Sequence, residues 1–173
     1  MKEHEQERLD RIADDNNYNQ GINKRIIRYT ATLFKRYMKQ GPVLEMGPAH
    51  GLATDLLYPS FPDYSVVDAS KLFIELIQER HPNVKTYVSL FEEFNPEKKY
   101  DNILIGHVLE HVEDPVAILK RCKEWKTEDG VILAAVPNSG SLHRLAGVKL
   151  GLIKDVAELN ESDLKVGHRR VYN

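Results

Sequence analysis

Between residues 41 and 137 the hydrophobic pattern switches period repeatedly, and this alternation constrains the fold more than any other feature of the chain. Short apolar runs stand at 43–46, 64–67, 84–88, 101–105 and 130–136. Helical spacing separates most of them, from about Gly51, over 71–80 and over 115–126, with a loop at 91–99 between the third and fourth runs. Strands divided by helices cannot pair as hairpins. They must be joined by right-handed crossovers, which predicts an α/β fold whose parallel sheet is covered by helices on both faces. Upstream, Ile22, Ile26, Ile27, Leu33 and Phe34 recur at helical spacing among basic residues, predicting an amphipathic helix over 20–39 that Gly41 and Pro42 end. The chain divides into a polar lead-in at 1–19, a core at 20–138, and a C-terminal part at 139–173 with helical spacing over 142–152 followed by a polar tail. In the helix at 115–126, Val116, Leu119, Cys122 and Trp125 share one face with Ile118 beside them, which makes Cys122 a core residue rather than a nucleophile.

Composition narrows the function classes. A chain of 173 residues that is 42% hydrophobic suffices for one domain with one core. Lys and Arg number 24 against 26 Asp and Glu, a net charge of −2, so no global basic field draws the chain to nucleic acid. Nor are its basic residues interleaved with aromatic ones, as in single-strand binders. No run approaches the roughly 18 apolar residues of a membrane span. A lone cysteine and an opening without an apolar stretch predict a soluble protein of the reducing cytoplasm.

The segment Val43-Leu44-Glu45-Met46-Gly47-Pro48-Ala49-His50-Gly51 carries a strand through a turn of small residues directly into a helix. Small residues let a ligand approach the backbone, and exposed N–H groups at the carboxyl end of a first strand form a polar rim for an extended, nucleotide-like molecule. Asp68 closes the second strand 21 positions after Gly47, where an acid can accept both hydroxyls of a ribose. Over residues 41–137 the chain resembles the class I S-adenosylmethionine-dependent methyltransferases. The acidic-x-Gly-x-Gly-x-Gly loop of that family matches Glu45, Gly47, Ala49 and Gly51, and its ribose-binding acid matches Asp68. Its fourth strand and the following segment match residues 100–112, and Leu-Glu-His-Val at 109–112, ahead of Asp114-Pro115, is similar to the branch that methylates small molecules. The resemblance implies a Rossmann-like sheet of strand order 3-2-1-4-5 with S-adenosyl-L-methionine bound across the strand ends. It also implies direct methyl transfer to a small-molecule acceptor, at oxygen or nitrogen rather than carbon. The rival readings are a truncated or degenerate domain that binds cofactor without catalysis, and an NAD-dependent oxidoreductase, whose third glycine would fall at Leu52.

The chain departs from the family pattern at three places. Ala49 stands for the middle glycine and adds one methyl group beside the ligand. Where the family often places an Asp for the adenine amine, this chain has Ser89-Leu90-Phe91; Leu90 or Phe91 is the candidate to pack on the adenine, and the Ser89 hydroxyl is the polar candidate. The antiparallel pair that completes the family's sheet has no counterpart in the last 35 residues, whose apolar positions have helical spacing. A bare parallel edge invites pairing with another chain, and a homodimer is one remedy.

Three histidines carry chemical readings. His107 follows the fourth strand at the switch point between strands one and four, where the resemblance places the donor methyl, so it is a candidate cofactor-pocket residue and the candidate general base. On a helical turn, His107, Glu110 and His111, at i, i+3 and i+4, would project from one side as a workable half of a metal site. That spacing is similar to the Glu-x-x-Glu-His of small-RNA 3′-terminal 2′-O-methyltransferases, a likeness that implies a more distant ligand, here His168. The metal-free reading is preferred, with Glu110 and His111 satisfying backbone groups of the pocket. His50 is expected to face solvent. His168-Arg169-Arg170 is expected in a solvated tail, the alternative being two guanidiniums that grip an acidic acceptor.

Overall fold

The computed structural model describes residues 21–173, so the polar lead-in lies outside the described residues. Helix α1 (Gly21–Tyr37) precedes β1 (Val43–Met46), α2 (Leu52–Leu57) with a 3-10 turn at Tyr58–Ser60, β2 (Tyr64–Asp68), α3 (Lys71–Arg80) and β3 (Lys85–Val88). Then come β4 (Tyr100–Gly106), α4 (Pro115–Trp125), β5 (Lys126–Ala135), α5 (Leu142–Lys149) and α6 (Glu161–Lys165). The five strands form one sheet in the order β3-β2-β1-β4-β5, every pair parallel, as the alternation of periods predicts.

All four residues of β1 are buried, because the central strand is covered on both faces. Its side chains alternate between two cores. Leu44 and Met46 pack with Ile103, Ile105, Cys122 and Trp125, while Val43 packs with Phe34, Leu57, Ile74, Ile77 and Leu104. One face is thus covered by α1, α2 and α3, the other by α4 and the β3–β4 loop. The helix starts follow from capping chemistry: the Ser70 hydroxyl accepts from Phe73 N, and the Asp114 carboxylate accepts from Ala117 N, with Pro115 in the first turn of α4.

The structure corrects the sequence reading at several points. The inward stripe of α4 is Ile118, Cys122 and Trp125, at steps of four and three, whereas Val116 and Leu119 are 59% and 37% exposed. A strict step of three drifts around the helix and leaves the sheet. Cys122 is core as expected; its Sγ lies 3.4 Å from Met46 Sδ, and burial pushes the thiol up to about 12. Strand β5 begins before residue 130: Lys126 pairs with Tyr100, then the register slips so that Val131 faces Asn102. The extra residues bulge beside Asp101, whose carboxylate accepts from Thr127 Oγ1 at 2.6 Å. Helix α5 stops at Lys149 because Gly151 turns left-handed, with φ 70°, and donates to Val148 O.

The C-terminal tail is the largest correction. It returns to the segment that follows β5, where Tyr172 forms an isolated parallel bridge with Asn138, donates to Pro137 O and accepts from Ser139 N. Buried Arg144 fastens the loop ahead of it, its Nε donating to Val156 O at 2.9 Å and its Nη2 to Glu158 O at 2.6 Å. Among the described residues no helix is long and apolar enough to cross a membrane.

Candidate functional site

Strand β1 delivers the chain into a turn in which Gly47, Ala49 and Gly51 have φ of 63°, 47° and 73°. That left-handed region is open to glycine and costs an L residue about 1–2 kcal/mol. Close approach adds a second requirement at the two glycines: a Cβ on Gly47 would lie 2.6 Å from Val108 Cγ2, and one on Gly51 would lie 2.5 Å from Arg80 Nη2. The family's middle glycine is therefore a conformational demand that Ala49 meets under strain. Gly51 N donates to Pro48 O at 2.8 Å and closes the turn.

Two acids brace this turn. Glu45 is buried, and one of its oxygens accepts from Thr54 Oγ1 at 2.7 Å and from the Tyr64 hydroxyl at 2.9 Å. Burial nevertheless pushes its carboxyl up to about 7. Asp68 accepts from Ser70 N at 2.8 Å and from the backbone N–H groups of Ala49 and Ala69, tying the end of β2 to the turn. Burial outweighs these bonds and raises it to about 6. Beside them, Ser89 Oγ donates to Leu90 O at 2.9 Å, and the Phe91 ring reaches to 3.6 Å from the Cβ position of Gly47. His50 does not face solvent as expected. Arg80 donates to its carbonyl and draws the turn onto α3, where the imidazole meets the Phe73 ring edge-on with centroids 5.0 Å apart. Burial first, and then Arg80, lower its basicity.

A cavity of about 490 Å³ opens where β1 and β4 end, within the roughly 300–1,000 Å³ usual for small-molecule sites. The turn contributes Glu45, Gly47 and Ala49, and the segment after β4 contributes His107, Glu110 and His111. Sequence reasoning missed two of its walls. Ile26, Ile27, Thr30 and Phe34 of α1 form one, and Arg144, Asp163 and Val166 belong to the other. The signal for the first was faint: Asn23 and Thr30 sit seven positions apart on a helix face that is otherwise apolar. The second depends on the return of the tail, which no local pattern announces.

The segment after β4 is a turn rather than the helical turn assumed from spacing, with His111 N donating to Val108 O at 2.9 Å. His107 adopts φ 60°, a strained value for a non-glycine residue. Its Nε2 lies 3.3 Å from Thr30 Oγ1 and its Nδ1 lies 3.6 Å from Glu110 Oε1. Glu110 is 1% exposed, and its Oε2 has no hydrogen-bond partner among the described residues. Glu110, His111 and His168 bring one donor atom each to within 4.8 Å of one another; His107, grouped with them from spacing alone, stands outside this set. The tail holds the arrangement in place. Arg169 N donates to Glu110 O and its Nε to His111 O, both at 2.8 Å, Arg170 Nη2 donates to Glu113 O, and the Tyr172 hydroxyl donates to Leu109 O. Arg169 is exposed and Arg170 half-buried, and each donates to a backbone carbonyl of the turn after β4 rather than lying in a free tail.

A parallel sheet of this order, with a left-handed turn of small residues after β1, an acid ending β2 and a cavity at the switch point, defines a Rossmann-like ligand-binding domain. Residues 18–172 match the model of a methyltransferase domain family, and the chain belongs to that family. Over 85 residues it is 29% identical to malonyl-[acyl-carrier protein] O-methyltransferase 1 of Ilyobacter polytropus, an alignment that takes in 46% of this chain and 32% of the relative. The chain thus spans about a third of that curated relative. Its fold is similar to N-methyltransferase NodS from Bradyrhizobium japonicum WM9, solved with S-adenosyl-L-homocysteine, with TM-score 0.61, 19% identity, 69% of this chain and 66% of that one. It is also similar to the plantazolicin methyltransferase BpumL, solved with a desmethylated plantazolicin analogue and S-adenosyl-L-homocysteine, with TM-score 0.67, 18% identity, 89% of this chain and 60% of that one.

Proposed function

We propose that this domain binds S-adenosyl-L-methionine along the carboxyl edge of β1 and β2 and directs its methyl group to an oxygen or nitrogen of a small-molecule acceptor. One observation carries the reading: a single cavity joins the Gly47–Ala49 turn to His107 and Glu110, so a ligand lying on the turn and a second molecule beside His107 would share one enclosed space. The residues present fit such a ligand. Left-handed small residues leave backbone open to its amino-acid part, and Asp68, which ends β2 beside the turn but outside the cavity lining, is the acid we assign to the ribose. Leu90 and Phe91 offer an apolar side for the adenine, with the Ser89 hydroxyl as an acceptor for its amine; Glu45 acts by bracing the turn from behind.

When bound, S-adenosylmethionine supplies an electrophilic sulfonium methyl group. An acceptor at the His107 end would use its lone pair to form the new bond to that carbon while the carbon–sulfur pair returns to sulfur. His107 is placed to take the proton the acceptor sheds. Most of the rate would come from holding the two molecules in line and apart from water, tasks for which α1 supplies an apolar wall. The names of the relatives include an O-methyltransferase and an N-methyltransferase, which supports those two atoms without choosing between them. A buried lone Cys122 suits a reducing compartment, and we place the domain in the cytoplasm.

Thermal melting with added ligand tests this reading. S-adenosylhomocysteine at about a hundred times its Kd should stabilise the fold by about 2.7 kcal/mol, and NADH at the same concentration should leave it unmoved. A response to NADH alone would favour the nicotinamide rival, and no response to S-adenosylhomocysteine would overturn the proposal.

A further inference from the structure

We propose that Glu110, His111 and His168 form a divalent-cation site at the acceptor end of the cavity, selective for ions that favour nitrogen ligands, such as zinc, cobalt or nickel. The three residues come from two distant parts of the chain, the turn after β4 and the returning tail, yet their donor atoms lie within 4.8 Å of one another. The two imidazole rings meet edge to face with centroids 4.9 Å apart.

A second observation points to a cation. Glu110 is 1% exposed, its Oε2 has no hydrogen-bond partner among the described residues, and its Oε1 has His107 Nδ1 only at 3.6 Å. A carboxylate buried with so little compensation is costly, and a cation placed between it and two imidazoles removes the cost. Behind His168, Asp163 Oδ1 lies 3.3 Å from its Nδ1, near enough for the carboxylate to bias the ring's orientation by its charge although the two make no hydrogen bond. Asp163 is itself held, its Oδ2 accepting from Asn160 N at 3.1 Å and lying 3.4 Å from Arg144 Nη2. Two imidazoles and one carboxylate favour zinc and its neighbours, whereas magnesium prefers an all-oxygen shell. Three protein ligands also leave a coordination position open, as in catalytic rather than structural sites.

What the ion would do rests on the methyltransferase reading; its binding does not. Beside His107 it would draw charge from an acceptor hydroxyl and ease the loss of its proton, which selects oxygen rather than nitrogen acceptors with a hydroxyl to present.

The test uses the full chain without a histidine tag, stripped with chelator and titrated with Co²⁺ by visible absorption, then with Zn²⁺ as competitor and Mg²⁺ in parallel. The expected result is binding of Co²⁺ at a single site, displaced by Zn²⁺ and not by Mg²⁺. Glu110→Gln and His168→Ala should each weaken it at least about tenfold, and Asp163→Asn, a positioning change, should weaken it and shift the cobalt spectrum. If Glu110→Gln fails to fold, His111→Ala together with His168→Gln reads the same donor set from its less buried side. Absence of stoichiometric binding, or binding unchanged in a folded Glu110→Gln, His168→Ala double variant, overturns the site. Melting with S-adenosylhomocysteine on the same samples keeps the two ideas apart. A response there without cobalt binding sinks the metal site alone, and cobalt binding without that response supports the site while removing the methyltransferase role.

Discussion

Glu45 and Asp68 are raised by the same cause, burial, to about 7 and about 6, but they serve different ends. Both carry folded-state values above those of an unfolded chain, so the native protein holds more protons between about pH 4 and 7, and stability falls as pH rises through that window. The melting temperature of the ligand-free protein should therefore decline from pH 5 to pH 8, and Glu45→Gln should flatten the decline; an unchanged slope would show that Glu45 does not titrate there. For Asp68 the consequence lies in binding. Its ionised form is the better acceptor for ribose hydroxyls, so affinity for S-adenosylhomocysteine should drop as pH falls below about 6. At neutral pH, Asp68→Ala should cost about 1.5–3 kcal/mol of binding by calorimetry, the range for hydrogen bonds to a charged group. Ala49 offers a converse test. Replacing it by glycine relieves about 1–2 kcal/mol of left-handed strain. The freer unfolded chain returns about 0.4–1 kcal/mol of that. Urea unfolding should accordingly show Ala49→Gly more stable than the parent, and a loss of stability would contradict the strained turn.

At the scale of elements, legibility followed the range of the interactions. The central strand, the turn after it and the acid ending β2 could be read because each depends on neighbours in sequence: apolar alternation, small residues and a cap. The helix starting at Pro115 was readable for the same reason, yet its inward face was misassigned, since only the sheet decides whether Ile118 or Leu119 is turned inward. The tail was illegible. Its sequence is polar, and what orders it is a set of bonds between residues about 60 positions apart, such as the Tyr172 hydroxyl on Leu109 O at 2.9 Å. Tyr172→Phe removes that bond and should cost about 0.5–1.5 kcal/mol. Hydrogen exchange should locate the loss in the 109–113 turn, faster there than in β1; uniform exchange would mean that the tail does not hold the turn. His107 shows the limit of spacing arguments most sharply: i, i+3 counting joined it to Glu110 and His111, yet it stands outside their set although its Nδ1 lies 3.6 Å from Glu110 Oε1.

For the whole molecule, the sheet order, the strained turn and the cavity at the switch point converge on one arrangement, and membership of the methyltransferase domain family agrees with it. Two cores, one on each side of β1, make the sheet a rigid platform. The parts that define the cavity's far side, α1 and the returning tail, come from outside the 41–137 segment that carries the recognisable motifs. On the proposed function, acceptor choice would reside in these segments of little motif content. Calorimetric titration of the chain with S-adenosylhomocysteine tests the central claim most directly. The account predicts saturable binding at one site per chain, weakened by Asp68→Ala in a protein whose melting curve shows it still folded. Heat changes absent in the parent chain, or an isotherm indifferent to Asp68, would contradict it.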